Sequence, residues 1–286
     1  MALDQTPADR LVSPKNTLND LTSKEWLSES VSVWSQRGLG AGHAEATIER
    51  LHPAPFSYTD VSRVIRMFTK QGMRVLDPFA GVGSTLKAAA LEGREGVGFE
   101  LYPYFADLAR QRLREELPGG VDYPSQTVWE GDARILASKL EPDSISLIVT
   151  SPPYWGILNK KADHKVQQER LANGLATNYG DDSRDLGNIE AYDDFVEDLA
   201  RTLAACGEAL APKRYMALIV ADFRHGSRYY MLHADIARAM EKRGYVLQAM
   251  NVLYQRHKRV FPYGYPHAYV ANVHHQNIVV LRKIAR

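Results

Sequence analysis

Between Arg74 and Ser151, short apolar runs take turns with helix-compatible runs, and each apolar run ends on polar or acidic residues. Arg74-Val75-Leu76 leads into Asp77, Gly96-Val97-Gly98-Phe99 into Glu100, Gln126 to Glu130 into Gly131-Asp132, and Ile145-Ser146-Leu147-Ile148-Val149 into Thr150-Ser151. Leu86 to Leu91 and Tyr104 to Glu116 are helix-prone stretches between them. Strands joined through helices lie parallel, so this alternation predicts an α/β protein built on a doubly wound, mostly parallel sheet. In such a sheet the ligand site lies at the carboxyl ends of the strands, where the acidic residues fall.

The rest of the chain extends the pattern. Val61, Val64, Ile65 and Phe68 recur at helical spacing between Tyr58 and Lys70, with Gly72 as a stop. A helix from Tyr192 to Ala205, a strand from Tyr215 to Val220, a helix from Met231 to Lys242 and two late strands follow a long polar loop. Residues 1–50 read as an N-terminal arm with a short helix and irregular chain, and residues 51–286 as one catalytic domain; no repeat or low-complexity tract interrupts it.

Composition excludes several classes. At 45% hydrophobic and 24% charged residues, the chain is no disordered polymer. Asp4, Asp9, Arg10, Lys15 and Asp20 break up the first residues, so no signal peptide is expected, and the longest apolar runs are too short for a bilayer. The expected location is the cytoplasm. The 35 basic residues against 34 acidic ones leave a net charge of +1, so any nucleic-acid surface must come from local clustering. Cys206 has no partner for a disulfide, and His274-His275 has no third ligand at zinc spacing, so no metal is expected.

The turn after the first strand, Asp77-Pro78-Phe79-Ala80-Gly81-Val82-Gly83-Ser84-Thr85, opens a helix. Glycines serve where backbone takes positive φ or passes close to a ligand, and the helix start favours an anion. The turn lacks the Gly-Lys-Ser/Thr and third glycine of phosphate loops, so a nucleoside carrying an amino-acid tail fits better. Asp77 would meet the tail's ammonium group and the loop its carboxylate. Glu100, with Leu101 beside it, would accept from two ribose hydroxyls, and Asp132, with Ala133, from an adenine amino group. Together these residues suit S-adenosylmethionine.

Ser151-Pro152-Pro153-Tyr154 follows a strand on that same sheet edge. Two prolines make a rigid turn that presents acceptors without donors. An exocyclic base nitrogen is a poor nucleophile because its lone pair is delocalised into the ring. Acceptance of its two N–H groups by the Ser151 hydroxyl and the Pro152 carbonyl would turn that lone pair outward, with no strong base needed. Tyr154 offers a ring on which a base displaced from the duplex could stack.

The order Asp77-Pro78-Phe79-x-Gly81-x-Gly83 followed by Ser151-Pro152-Pro153-Tyr154 resembles the DNA amino-methyltransferases that make N4-methylcytosine or N6-methyladenine, in their gamma-like motif order. His52-Pro53-Ala54-Pro55-Phe56 resembles the segment that closes over the methionine end of the cofactor in that family, which implies contacts from Pro55 and Phe56. Serine at the first tetrapeptide position is usual in the cytosine branch and aspartate in the adenine branch, so the resemblance implies N4 of cytosine, with N6 of adenine as the alternative.

Double-stranded DNA is the partner so implied, with a cognate restriction endonuclease as a further one and a monomer or homodimer as the assembly. Two loops are candidates for reading it. Residues 156–188 carry Lys160, Lys161 and Lys165, suited to phosphates. Residues 256–275 interleave Arg256, Lys258 and Arg259 with Tyr263 and Tyr265, a mixture suited to a splayed strand. An RNA substrate, or a cofactor-binding module without activity, are the rival readings. A 5-methylcytosine enzyme would need a cysteine nucleophile, and Cys206 is expected inside a helix.

Overall fold

The computed structural model describes residues 11–36, 47–54, 56–156, 180–256 and 258–284. Lys160, Lys161, Lys165 and Pro55 lie outside them.

In chain order the elements are α1 (Ser23–Glu29), β1 (Val33–Ser35), α2 (Tyr58–Phe68), β2 (Arg74–Asp77), α3 (Ser84–Leu91), β3 (Glu95–Glu100), α4 (Pro103–Glu115), β4 (Gln126–Glu130), α5 (Ala133–Leu136) and β5 (Ile145–Thr150). Then come α6 (Tyr192–Cys206), β6 (Leu210–Val220), β7 (Phe223–His225), β8 (Arg228–Tyr230), α7 (Leu232–Glu241), β9 (Tyr245–Tyr254) and β10 (His275–Lys283).

Eight strands form one sheet in the order β1-β9-β10-β6-β5-β2-β3-β4, with β10 antiparallel to both neighbours. The sheet is thus doubly wound and mostly parallel, the expected Rossmann-like class. From β2 the chain winds outward through β3 and β4, then returns to place β5 on the other side of β2. The switch point therefore lies between the carboxyl ends of β2 and β5, at Asp77 and Thr150, where an open α/β sheet leaves a crevice.

Apolar residues on both strand faces fill two cores, as expected of a sheet covered on both sides. Val75, Leu147, Val149, Ala217, Ile219, Ile278 and Val280 meet Val61, Val64 and Ile65 of α2 and Ala88 and Ala89 of α3. Leu76, Ile148, Met216, Leu218, Val279 and Leu281 face the opposite way, against α6 and α7.

Two departures from the sequence expectation have local causes. The segment read as an arm supplies β1, which pairs parallel with β9 and buries Trp34 to 3% exposure, under the Arg63 guanidinium 3.9 Å away. Strand β6 begins at Leu210, before the expected Tyr215, because Lys213 takes φ 62° where the register against β5 shifts, and the strand continues past that irregularity. Cys206 is the last residue of α6 and is wholly buried, with burial pushing its thiol up to about 12. No helix among the described residues is long and apolar enough to cross a membrane.

Candidate active site

At the switch point Asp77 is fully buried, and its carboxylate is used internally. Oδ2 accepts from the Thr85 hydroxyl and Oδ1 from the Thr150 hydroxyl, each at 2.5 Å, and Oδ1 also accepts from the Phe79 N–H at 3.0 Å. Burial raises its pKa to about 6 against the lowering effect of Thr150, Thr85 and Phe79. Asp77 therefore knots the ends of β2 and β5 to the start of α3. With those three bonds made, Oδ1 holds two donors and Oδ2 one, so direct contact with an ammonium group, the expectation from sequence, has only the remaining lone pair of Oδ2 to use.

The two glycines of the turn divide the work. Gly81, at φ 51°, lines the cleft, and a Cβ there would sit 3.0 Å from His52 Nε2. Gly83, at φ 78°, caps α3, and a Cβ there would press on Ala109 of α4 at 3.1 Å, so this glycine permits close helix packing. Thr85 lies beneath the turn with Asp77, and Ser84 accepts from Arg112 Nη1 at 2.9 Å.

The main cleft is walled by Pro78, Phe79, Gly81, Phe99, Glu100, Leu101, Tyr102, Asp132 and Ala133, and also by Ser151 and Pro153. Glu100 is only 8% exposed; Oε2 accepts from Gly81 N–H at 2.8 Å and Oε1 from Tyr102 N–H at 3.0 Å. Burial carries its pKa to about 7, against those two backbone bonds. Each oxygen keeps a lone pair for a further donor.

Asp132 caps α5 and is clamped by Arg134, whose Nε reaches Oδ1 at 2.9 Å and whose Nη2 reaches Oδ2 at 2.6 Å. Burial would raise its carboxyl, but Arg134 outweighs that and holds it below the usual range. An adenine amino group would share this carboxylate with a guanidinium.

A second, small hollow lies beside the glycine turn, lined by His52, Ala54, Phe56, Ala80, Val82 and Ser84. Four residues line both spaces: His52, Phe79, Gly81 and Ser151. Ser151 thus stands where the two cavities meet.

Tyr154 is fixed at its hydroxyl end. Burial pushes its phenol up, so the hydroxyl keeps its proton, and it accepts from Gln276 Nε2 at 3.1 Å. Trp155 turns the other way, donating Nε1–H to the Ile189 carbonyl at 2.9 Å and packing on Tyr192.

Sequence reasoning missed the segment that roofs the cleft. Asp185 accepts from the Tyr102 hydroxyl at 2.9 Å, Arg134 donates to the Arg184 carbonyl at 2.8 Å, and Gly156 N–H bonds the Gly187 carbonyl at 3.1 Å. Arg184, Asp185 and Leu186 thereby become cleft walls.

The loop between β9 and β10 emerges on the same edge, since β9 runs with the parallel strands. Its base is closed by Phe261 N–H to Asn272 Oδ1 at 2.9 Å and Asn272 Nδ2 to the Phe261 carbonyl at 2.8 Å. Arg256, Lys258 and Arg259 are exposed, Tyr263 is 49% and Tyr265 83% exposed, and Lys258 Nζ reaches the Val273 carbonyl at 3.3 Å. Gln276, at the loop's end, ties it to Tyr154.

Residues 5–111 match the family model described as DNA methylase, of the N6/N4 type; the match takes in Asp77, Gly81, Gly83 and Glu100 and ends before Ser151. M.MthZI, a type II methyltransferase of Methanothermobacter thermautotrophicus, is 41% identical over 93 residues, which are 32% of this chain and 25% of that protein. M.BamHII, an orphan methyltransferase of Bacillus amyloliquefaciens, is 36% identical over 76 residues, 26% of this chain and 29% of that protein. The chain thus spans between 25% and 29% of the length of these relatives. Among solved structures, a putative DNA modification methylase of Thermus thermophilus, complexed with S-adenosyl-L-methionine, is 22% identical with a TM-score of 0.37, covering 55% of this chain and 54% of that one.

Proposed function

We propose that this chain, whose residues 5–111 match the DNA methylase family model, transfers a methyl group from S-adenosylmethionine to the exocyclic N4 of a cytosine displaced from duplex DNA. The observation that carries the reading is the position of Ser151, which lines both the main cleft and the hollow beside the glycine turn. A donor lying along these two spaces and an amine held by the tetrapeptide would meet at that residue.

The donor set fits the cofactor. Glu100 offers two carboxylate oxygens to a ribose, Phe79 and Phe99 offer apolar walls to an adenine, and His52, Phe56 and Ser84 line the side of the glycine turn along which a methionine tail would run. Bound there, S-adenosylmethionine supplies an electrophilic methyl group on a sulfonium.

The chain's own part is orientation. The Ser151 hydroxyl and the Pro152 carbonyl accept the two N–H groups of the amine, which withdraws the nitrogen lone pair from the ring and turns it toward the cleft. Tyr154 is held beside Ser151 by the Gln276 side chain, which donates to its hydroxyl. Once alkylated, the nitrogen is a strong acid and gives its proton to water, so a positioned acceptor pair suffices. The ring of Tyr154 and the cations of the β9–β10 loop support the displaced base and the strand that carries it. Serine at the head of the tetrapeptide favours cytosine over adenine.

Incubation of the chain with labelled S-adenosylmethionine and DNA, followed by nucleoside analysis, should yield N4-methylcytosine. N6-methyladenine alone would overturn the cytosine assignment, and label in RNA but not in DNA would overturn the substrate.

Glu100 adds a pH dependence. With a pKa of about 7 in the unliganded site, it is an ionised double acceptor above that pH and progressively a neutral acid below it. Cofactor affinity should therefore fall roughly tenfold from pH 8 to pH 6, measured by titration calorimetry. Glu100→Gln should bind weakly with a flat profile; a flat profile in the wild type would remove Glu100 from the ribose.

A further inference from the structure

The strand that follows Asp222 turns straight back on itself. β7 and β8 form a two-stranded antiparallel ribbon with Phe223 opposite Tyr230, Arg224 opposite Tyr229 and His225 opposite Arg228, joined by Gly226 and Ser227 with Gly226 at φ 60°. A ribbon this short has no stability of its own. It is held by the residue after the catalytic tetrapeptide: Trp155 lies 6.1 Å from the Phe223 ring, 5.0 Å from His225 and 5.4 Å from Tyr230, and Phe223 and Tyr230 stack at 5.4 Å.

One face of the ribbon is spent on that anchor, and the other presents Arg224 beside Tyr229, which is 43% exposed. Arg228 extends over the Tyr230 ring at 4.8 Å, with its residue exposed. From Phe223 to Ala234 there is no acidic residue, and Asp222, just before, is held by His233 Nδ1 at 2.7 Å. In a chain of net charge +1 this is a local cationic and aromatic projection, rigidly joined to the site of chemistry and set on the same sheet edge.

We propose that the β7–β8 hairpin is a DNA-contacting element, with Arg224 and Arg228 on phosphates flanking the displaced base and Tyr229 stacked on a base left exposed by the displacement. The chemistry is that of a nucleic-acid strand: cations neutralise phosphates, an aromatic face takes the place of a lost stacking neighbour, and a two-stranded ribbon is narrow enough for the major groove. Anchoring on Trp155 fixes these contacts relative to Ser151, so a grip on the backbone positions the target amine. This deepens the proposed function and rests on it for the identity of the strand.

The test measures binding of the full chain to a short mixed-sequence duplex across a salt series, since phosphate contacts act on any sequence. The double variant Arg224→Ala/Arg228→Ala should reduce the slope of log affinity against log salt by about 2, and weaken binding roughly fiftyfold near 0.1 M salt. The control pair Arg201→Ala/Arg238→Ala, on α6 and α7, should leave the slope as in the wild type. Tyr229→Ala should lower kcat/KM for DNA about tenfold, with Tyr229→Phe close to wild type, and all variants should keep cofactor affinity and melting temperature. An unchanged slope in the hairpin variant, or an equal change in the control pair, would overturn the proposal. Methylation by the wild type reports separately: a chain that binds duplex through the hairpin but transfers no methyl group would sink the catalytic reading alone.

Discussion

Replacing Ser151 by alanine should lower kcat for methyl transfer by roughly a hundredfold or more, with S-adenosylmethionine still bound within about twofold of wild type by calorimetry. The expected split follows from what Ser151 touches. Ser151 lines both cavities, so loss of its hydroxyl removes one of the two acceptors proposed for the amine and leaves intact the walls that hold the cofactor. Tyr154→Phe probes the neighbouring ring, because the phenol oxygen receives the Gln276 N–H that holds it in place. That variant leaves the Gln276 donor unpaired and the ring free to shift against the displaced base, and kcat should fall about tenfold. The single-turnover rate of label transfer checks both. A Ser151→Ala protein that turns over like the wild type would end the assignment of the tetrapeptide as the centre of chemistry.

The main sheet was legible because its central strands are apolar on both faces and each ends on a residue that cannot continue an apolar run. Asp77, Glu100 and Thr150 mark strand ends in sequence and in space. What each carboxylate does was less legible. Asp77 is spent on Thr85 and Thr150, partners 8 and 73 residues away, and only the sheet order brings β5 beside β2. Asp132 looked like a free strand-end acid, yet its place as the cap of α5 brings Arg134 against it. The roof formed by Tyr102, Asp185 and Arg184 had no local signal at all, because it is a chain returning across the cleft.

The β7–β8 ribbon did leave a trace. Gly226-Ser227 between Arg-containing aromatic runs is a two-residue hairpin turn by composition, but those runs are shorter than the strands that periodicity picks out. The signal at Arg224 and Arg228 is therefore weak in sequence, while the longer basic stretch at 256–259 stands out.

Arg112→Ala should destabilise the protein by about 3–5 kcal/mol, which for a chain of this size lowers the melting temperature by roughly 10 °C. Arg112 is 0% exposed on α4, and every arm of its guanidinium is used. Nε reaches Glu116 Oε2 and Nη2 reaches Glu49 Oε2, both at 2.9 Å, and Nη1 reaches Ser84 Oγ, also at 2.9 Å. Lys87 Nζ joins Glu116 at 2.7 Å from α3. Two carboxylates and two cations therefore balance in a buried cluster that ties α3, α4 and the turn at 49–51 together. Burial pushes the Glu49 carboxyl up, and Arg112 is the main charge opposing it; without the guanidinium Glu49 must either take a proton or move toward water. Movement there would carry His52, three residues on, away from the wall it gives to both cavities. Arg112→Ala should thus lose cofactor affinity together with stability, whereas Ser151→Ala loses neither. Thermal unfolding followed by circular dichroism, with and without S-adenosylmethionine, separates the two: a ligand-induced rise in melting temperature equal to wild type in Arg112→Ala would show that the cluster holds the fold but not the cofactor wall.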